Sequence, residues 1–554
     1  MSRKPPTRSL SRRSFLAGTA TGAAAGVATG TAIGQEFVSL GSLDDLPPNW
    51  WETDFTPTDP VEPVDPVDPV DPSCNPCPPQ TGGGDDDPFG ETPGIAVRRN
   101  VFSLAADGPE MASMRRGIEV MRARADDDPT SWNYQARIHG IVRGGGLPPF
   151  GAPWGTCRHV SDDFLSWHRL YVHFFERILR QASGDPSFAL PYWDYSVPGQ
   201  NSLPPAFRQQ FGNALFEARR NPGINGGQAI NPIVASAATA LQTLRFARPF
   251  FSAALENQPH NVIHVEIGGA MADPATAGED PIFWLHHANI DRLWSRWIAQ
   301  GNGRSNPTTN AFLNTPFSFV DETGQFVTAR GADALDPQNQ LGYRYDDEPA
   351  APPGIDPGIA FMVASAGLSA PQALFARAGT ETGAVPALRV AETMLAEGGR
   401  VRLGGGKAAL KLKPAPIPVP VFDSLESGGI QPLASFAVDP MAPFRSDMVS
   451  DEPVLLQLED IDFEAPPGIW YALYVNLPEG AAPDPRGPYF AGIFAPFAQN
   501  MSDEPSTFDI TGLLNRQIEA GLFDGGEIGV DFVPNRDAGT APAVDIGNVR
   551  IVRP

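Results

Sequence analysis

Eight histidines fall between His139 and His287 of a 554-residue chain: His139, His159, His168, His173, His260, His264, His286 and His287. Imidazole is the commonest metal ligand among side chains, so crowding of this kind points to a metal centre, and spacing must decide which rings take part. His260 and His264 are four residues apart, which on a helix puts both rings on one face, converging on one ion. The run from Asp280 to Trp294 opens with Pro281, suited to a helix start, and continues as an apolar, aromatic-rich helix that must be buried. Inside it His287, with Asp291 one turn on, reads as a ligand with carboxylate support. His159 precedes Phe164-Leu165-Ser166-Trp167-His168-Arg169, and Glu176 stands two turns beyond His168 on the same helix.

Taken together, H-x4-F-L-x-W-H-R-x6-E from His159 to Glu176 and D-P-I-F-W-L-H-H-x3-D from Asp280 to Asp291 resemble the paired copper signatures of the tyrosinase, catechol oxidase and hemocyanin superfamily. The likeness is widest to plant-type polyphenol oxidases. It extends through Gln135 to His139, Gly184 to Asp194, the Tyr343-Arg344-Tyr345 triplet and Phe490 to Phe494, and so covers most of residues 98 to 554. The resemblance implies two copper ions, His139, His159 and His168 on the first and His260, His264 and His287 on the second. His287 is preferred to His286 because the family pattern places three residues between ligand and Asp; His173 and His286 are then supporting or surface groups.

Further expectations follow from the resemblance. Cys157, two residues before His159, has the family's spacing for a thioether to that ring, although the plant enzymes use a more distant cysteine. Glu256 and Asn261, four before and one after His260, match positions where the family holds a water proposed to deprotonate phenols, which matters because a phenol's pKa is ~10. The implied activity is oxidation of o-diphenols to o-quinones with O2 as co-substrate, with ortho-hydroxylation of monophenols as a tyrosinase, on small phenolic substrates. A hemocyanin-like dioxygen carrier is the alternative, disfavoured by a single unit behind an export signal; a zinc-binding module is poorly served by two three-histidine sites. The small residues of the Gly268 to Glu279 loop suggest an open mouth bordered by Met271, Pro274 and Ala275, and Phe494 or Phe497 could plug it from the C-terminal domain.

The elements that must position these groups give a multidomain protein. Residues 97–350, where helical patterns alternate with Gly-, Pro- and Trp-rich loops, read as a mainly α catalytic domain built on a four-helix bundle. Residues 400–554 lack histidine and carry short alternating runs such as Trp470 to Val475, which read as an antiparallel β-sandwich-like domain able to cover the site; 351–399 is a linker. Arg12-Arg13 ahead of an Ala/Gly/Thr/Val run marks 1–40 as a twin-arginine signal, implying a periplasmic or extracellular location. The Asp-Pro-Val repeat makes 41–96 an extended spacer, with Cys74 and Cys77 as a local disulfide. A net charge of −24 argues against nucleic acid and anionic membranes as partners.

Overall fold

The computed structural model describes residues 95–141, 148, 151–348, 393–414 and 452–554, apart from 524, 538 and 540. The twin-arginine segment, the spacer with Cys74 and Cys77, and most of the 351–399 linker lie outside them. The principal elements of the first domain are β1 (Ala96–Arg98), α1 (Pro109–Ala123), α2 (Trp132–His139), α3 (Phe164–Ser183), α4 (Ala238–Gln242), α5 (Phe251–Leu255), α6 (Val262–Ile267) and α7 (Ile282–Ala299). A hairpin of β2 (Pro316–Val320) and β3 (Phe326–Arg330) and the short β4 (Tyr343–Tyr345) complete it.

Local sequence explains these helices. Pro109 starts α1, and Met111, Met114, Ile118 and Met121 form its buried stripe at helical spacing. That stripe packs on α3 closely enough that a Cβ at Gly117 would stand 2.6 Å from Leu179 Cδ1. α3 stops at Gly184, whose φ of 67° places it in the left-handed region that glycine tolerates. α3 then packs on α7, with Phe175 stacked on Trp284. Between α5 and α6 the chain forms a wide turn, Glu256–Asn261, where Gln258 leaves helical geometry at φ −152° and Pro259 restarts the helix. His260 and His264 therefore do lie one turn apart on a common face, their ring centroids 4.6 Å apart.

Parallel pairing of β1 with β4 closes the domain, with Ala96 opposite Tyr343 and Arg98 opposite Tyr345. The fully buried Arg98 gives Nε to Glu176 (2.7 Å) and Nη1 to Asp291 (3.3 Å), and its guanidinium lies 3.5 Å from the centre of the Tyr343 ring.

The C-terminal domain is a nine-stranded antiparallel sheet: β5 (Thr393–Glu397), β6 (Val401–Leu403), β7 (Ala408–Pro414), β8 (Leu455–Asp462), β9 (Tyr471–Val475), β10 (Phe490–Phe494), β11 (Ser506–Asp509), β12 (Ile528–Pro534) and β13 (Val544–Arg553). Their order is β10-β9-β12-β7-β5-β13-β8-β11, with β6 on β13. The sheet starts at Thr393 rather than at 400, so the end of the expected linker is strand; Met394 to Ala396 pair with β13 and belong to the sheet. The period-two rule explains why β9 is apolar throughout. Tyr471, Leu473 and Val475 face the domain's own core, whereas Trp470, Ala472 and Tyr474 face the helical domain's core. The same alternation turns Phe494 into the sheet's core and leaves Ile493, Ala495 and Phe497 against the helices.

Candidate metal centre

Seven of the eight histidines converge. His139 ends α2, His159 stands in the loop before α3, and His168 lies in α3; with Cys157 their ligand atoms are within 4.8 Å of one another. His260, His264, His286 and His287 form a second group with the same closeness. The two groups face each other, the rings of His168 and His287 stacking at 4.4 Å and 8°. His173 is apart, its ring over Tyr343 at 6.4 Å.

What makes this arrangement a metal centre is the way the rings are held. His139 Nδ1 pairs with the Pro274 carbonyl (2.7 Å), His168 Nδ1 with that of Phe164 (2.7 Å), and His264 Nδ1 with that of Met271 (2.8 Å). His260 Nδ1 meets Asn261 Oδ1 (2.8 Å) and His159 Nδ1 meets Glu256 Oε1 (3.3 Å). An acceptor at Nδ1 fixes the proton there and turns the Nε2 lone pair outward. Nε2 atoms are 3.4 Å apart between His139 and His159 and 3.3 Å between His264 and His287. For His139 and His159, both with an acceptor at Nδ1, lone pairs at such a distance with no proton to share are a poor arrangement without a cation between them. Burial, reinforced by neighbouring imidazoles, holds His168, His260, His264 and His287 well below their ordinary pKa and takes His139 to about 3. These five rings are thus neutral donors across the physiological range, as ligation requires.

Several expected roles change. Asp291 does not support His287, whose Nδ1 has no partner; it accepts instead from Arg98, Arg169, Tyr343 OH and Tyr345 OH (both tyrosines at 2.5 Å). The carboxylate one turn away belongs to the domain-closing network because residues from remote strands reach it first. Glu176, the last residue of the first motif, serves the same network through Arg98 and also pairs with Arg180. The Gly268 to Glu279 loop is not an open rim: Met271 and Ala277 are wholly buried, and the carbonyls of Met271 and Pro274 orient His264 and His139. No side-chain pattern could have announced those carbonyl partners.

Cys157 Sγ lies 3.3 Å from His168 Nε2 and in the same cluster as His159. Glu256 is buried and heavily engaged, accepting from Val160 N (2.7 Å) and Arg248 Nη1 (2.6 Å) besides facing His159. Burial pushes its carboxyl up, but Arg248 and His159 outweigh that and keep it below the ordinary range. Asn261 keeps a buried Nδ2 without a partner. Over the second group lies Phe497, 1% exposed, stacked on His264 at 4.0 Å and 16° and edge-on to His159 and His260. Phe494 is not at the site. Glu256, Asn261, Cys157 and Phe497 all lie against the clustered rings, while Arg248 had no motif to reveal it.

Comparison with known proteins agrees with this geometry. The common central domain of tyrosinase matches residues 129–245 and 213–300, a polyphenol oxidase middle domain matches 306–352, and a domain of unknown function matches 434–554. A tyrosinase of Hahella sp. (strain CCB-MM4) is 36% identical over 45% of this chain and 63% of its own length. The latent, chloroplastic polyphenol oxidase of Prunus armeniaca is 30% identical over 46% of this chain and 49% of its own. The chain thus spans about half to under two thirds of the length of these curated relatives. The structure of latent apple tyrosinase has the same fold, with a TM-score of 0.54 at 23% identity over 83% of this chain and 98% of that one. Residues 129–352 of this chain are thus similar to the central domain of tyrosinase and the middle domain of polyphenol oxidase.

Proposed function

We propose that this protein is a dicopper oxidase that oxidises o-diphenols to o-quinones with O2 and ortho-hydroxylates monophenols. The observation that carries the reading is the pair of buried imidazole triads with converging Nε2 atoms. His139, His159 and His168 would hold the first copper and His260, His264 and His287 the second, in the setting of a four-helix bundle. Nitrogen donors in threes suit copper and leave positions open, and the pair supplies the O2 and electron-transfer chemistry. The protein's part is to hold six rings in place, to exclude water, and to seat a flat ring. Phe497 marks that seat: a phenol lying parallel to His264 would take its place.

The same contact supports a latent state in which the C-terminal domain, folded as a two-layered sandwich, covers the centre. Oxygen uptake should therefore be measured on a panel of mono- and diphenols before and after limited proteolysis between about residues 350 and 450. Turnover of catechols that rises on cleavage is the expected result; reversible O2 binding without oxidation would instead mark a carrier. Glu256 and Asn261 are proposed to hold a water that takes the phenol proton, the free Nδ2 of Asn261 being its donor. Because Asn261 also holds His260 Nδ1, rates of Asn261→Gly are taken per bound copper; the monophenol-to-diphenol rate ratio should fall, and an unchanged ratio sinks this role. Cys157 is proposed to join His159 as a thioether with O2 as oxidant, read as a loss of two hydrogens in the intact mass. Arg12 and Arg13 support twin-arginine export, and among the described residues no helix is long and apolar enough to cross a membrane.

A further inference from the structure

His286 is the buried group that this chemistry leaves unused. Its side chain is 0% exposed, and neither Nδ1 nor Nε2 has a hydrogen-bond partner. A neutral imidazole carries one donor and one acceptor, and burying both unpaired is costly. The surrounding stretch of α7, Ile282-Phe283-Trp284-Leu285 before it and Ala288 after, is apolar and fully buried. A leucine or phenylalanine would satisfy such a position on packing alone, so the imidazole needs a partner that the protein does not supply.

The geometry shows where that partner would be. The ring of His286 lies against Tyr195 on one side (5.7 Å) and is nearly parallel to His260 at 5.3 Å and 24°. It meets His264 edge-on at 4.8 Å. One of its nitrogens is within 4.8 Å of the donor atoms of His260, His264 and His287, and His260 Nε2 is also without a partner. Four nitrogens bound to one ion at about 2.0 Å in a tetrahedron stand about 3.3 Å apart, so closing the set needs only side-chain movement.

We propose that His286 is a fourth ligand of the second metal site, engaged when that site holds an ion alone. In that state the half-site is closed and tetrahedral, a geometry suited to a d10 ion such as Cu+ or Zn2+. Consecutive helix positions project about 100° apart, so His286 and His287 grip the ion from different sides. Release of His286 leaves the three-imidazole site with open positions that the paired centre requires. This inference rests on the dicopper reading.

The test is anaerobic titration of the metal-free full-length chain with Cu+ against a chromophoric Cu+ chelator, and separately with Co2+, whose visible bands report four-coordination. Wild type is compared with His286→Phe, which keeps a ring's volume without a donor, with His286→Leu, and with His173→Phe as a control remote from the cluster. Expected are two Cu+ steps in wild type, one of them weakened about tenfold or more in both His286 variants, and the other step unchanged. The tetrahedral Co2+ bands at one equivalent should weaken in the same two variants and persist in the control. Two variants guard against one failing to fold, which circular dichroism checks. If a folded variant binds both Cu+ ions as tightly as wild type, His286 is not a ligand. If wild type itself takes fewer than two Cu+, the dicopper reading fails and this inference with it.

Discussion

Asp291 shows how one buried carboxylate can be read correctly as important and wrongly as to partner. Its position one turn after His287 suggested support for a ligand, yet its oxygens are occupied by Arg98 and Arg169 and by the hydroxyls of Tyr343 and Tyr345. Spacing along a helix cannot show that residues 98, 343 and 345 will arrive on it. Asp291→Ala should leave two buried guanidiniums without their shared counter-charge, a loss of about 3–5 kcal/mol, seen as a lower midpoint in urea unfolding. The pH dependence is fixed in sign. Burial raises the carboxyl's pKa, but Arg169 and Arg98 more than reverse this and hold it below the ordinary value. A depressed folded-state pKa gives stability that is complete above the unfolded pKa and is lost as pH falls through the folded one. The gap between wild type and the variant should be constant above about pH 5 and shrink below about pH 4.

At the scale of elements, the site was legible wherever side-chain pattern is the determinant and silent wherever backbone is. The His260/His264 pair, the buried α7 and the helix bearing His168 were all visible as periodicity, and the twofold alternation announced the strands. What could not be read is that loop carbonyls aim the rings, because a carbonyl is present at every residue. Gly140 sits at such a junction, immediately after His139. A Cβ there would stand 2.3 Å from the Pro274 carbonyl oxygen and 2.6 Å from Ala275 Cα, both backbone atoms with little freedom to yield. Since that same carbonyl holds His139 Nδ1, Gly140→Ala should cost about 1–3 kcal/mol of stability and also lower copper retention at the first triad. Gly404→Ala, where a Cβ meets nothing within 4 Å, should change neither copper content nor the unfolding midpoint.

The whole molecule has one arrangement that neither domain contains alone: the sheet domain lays alternate residues of β9 and the segment after β10 onto the helices and puts Phe497 on His264. Sequence suggested two domains and a cover carrying Phe494 or Phe497, but not which ring sits at the site nor the contacts that hold the cover, since contacts between remote segments leave no spacing to read. Polar contacts fix the register. Trp470 Nε1 donates to the half-buried Glu266, Asn535 Nδ2 reaches the same oxygen at 3.4 Å, and Asn257 Nδ2 donates to the Thr507 carbonyl at 2.9 Å. This separates holding the cover from plugging the site, so two substitutions should act differently. Trp470→Phe keeps an aromatic ring but removes a donor to a carboxylate, a bond worth about 1.5–3 kcal/mol. The uncovered population should then rise about tenfold or more, raising both catechol turnover and the rate of proteolytic release of the domain. Phe497→Ala empties the seat beside His264 while leaving those hydrogen bonds in place, so turnover should rise with release by protease unchanged. Rates of oxygen uptake and of cleavage, measured on the same preparations, distinguish the two; if neither substitution raises turnover, Phe497 does not gate the centre and its stacking on His264 is packing alone.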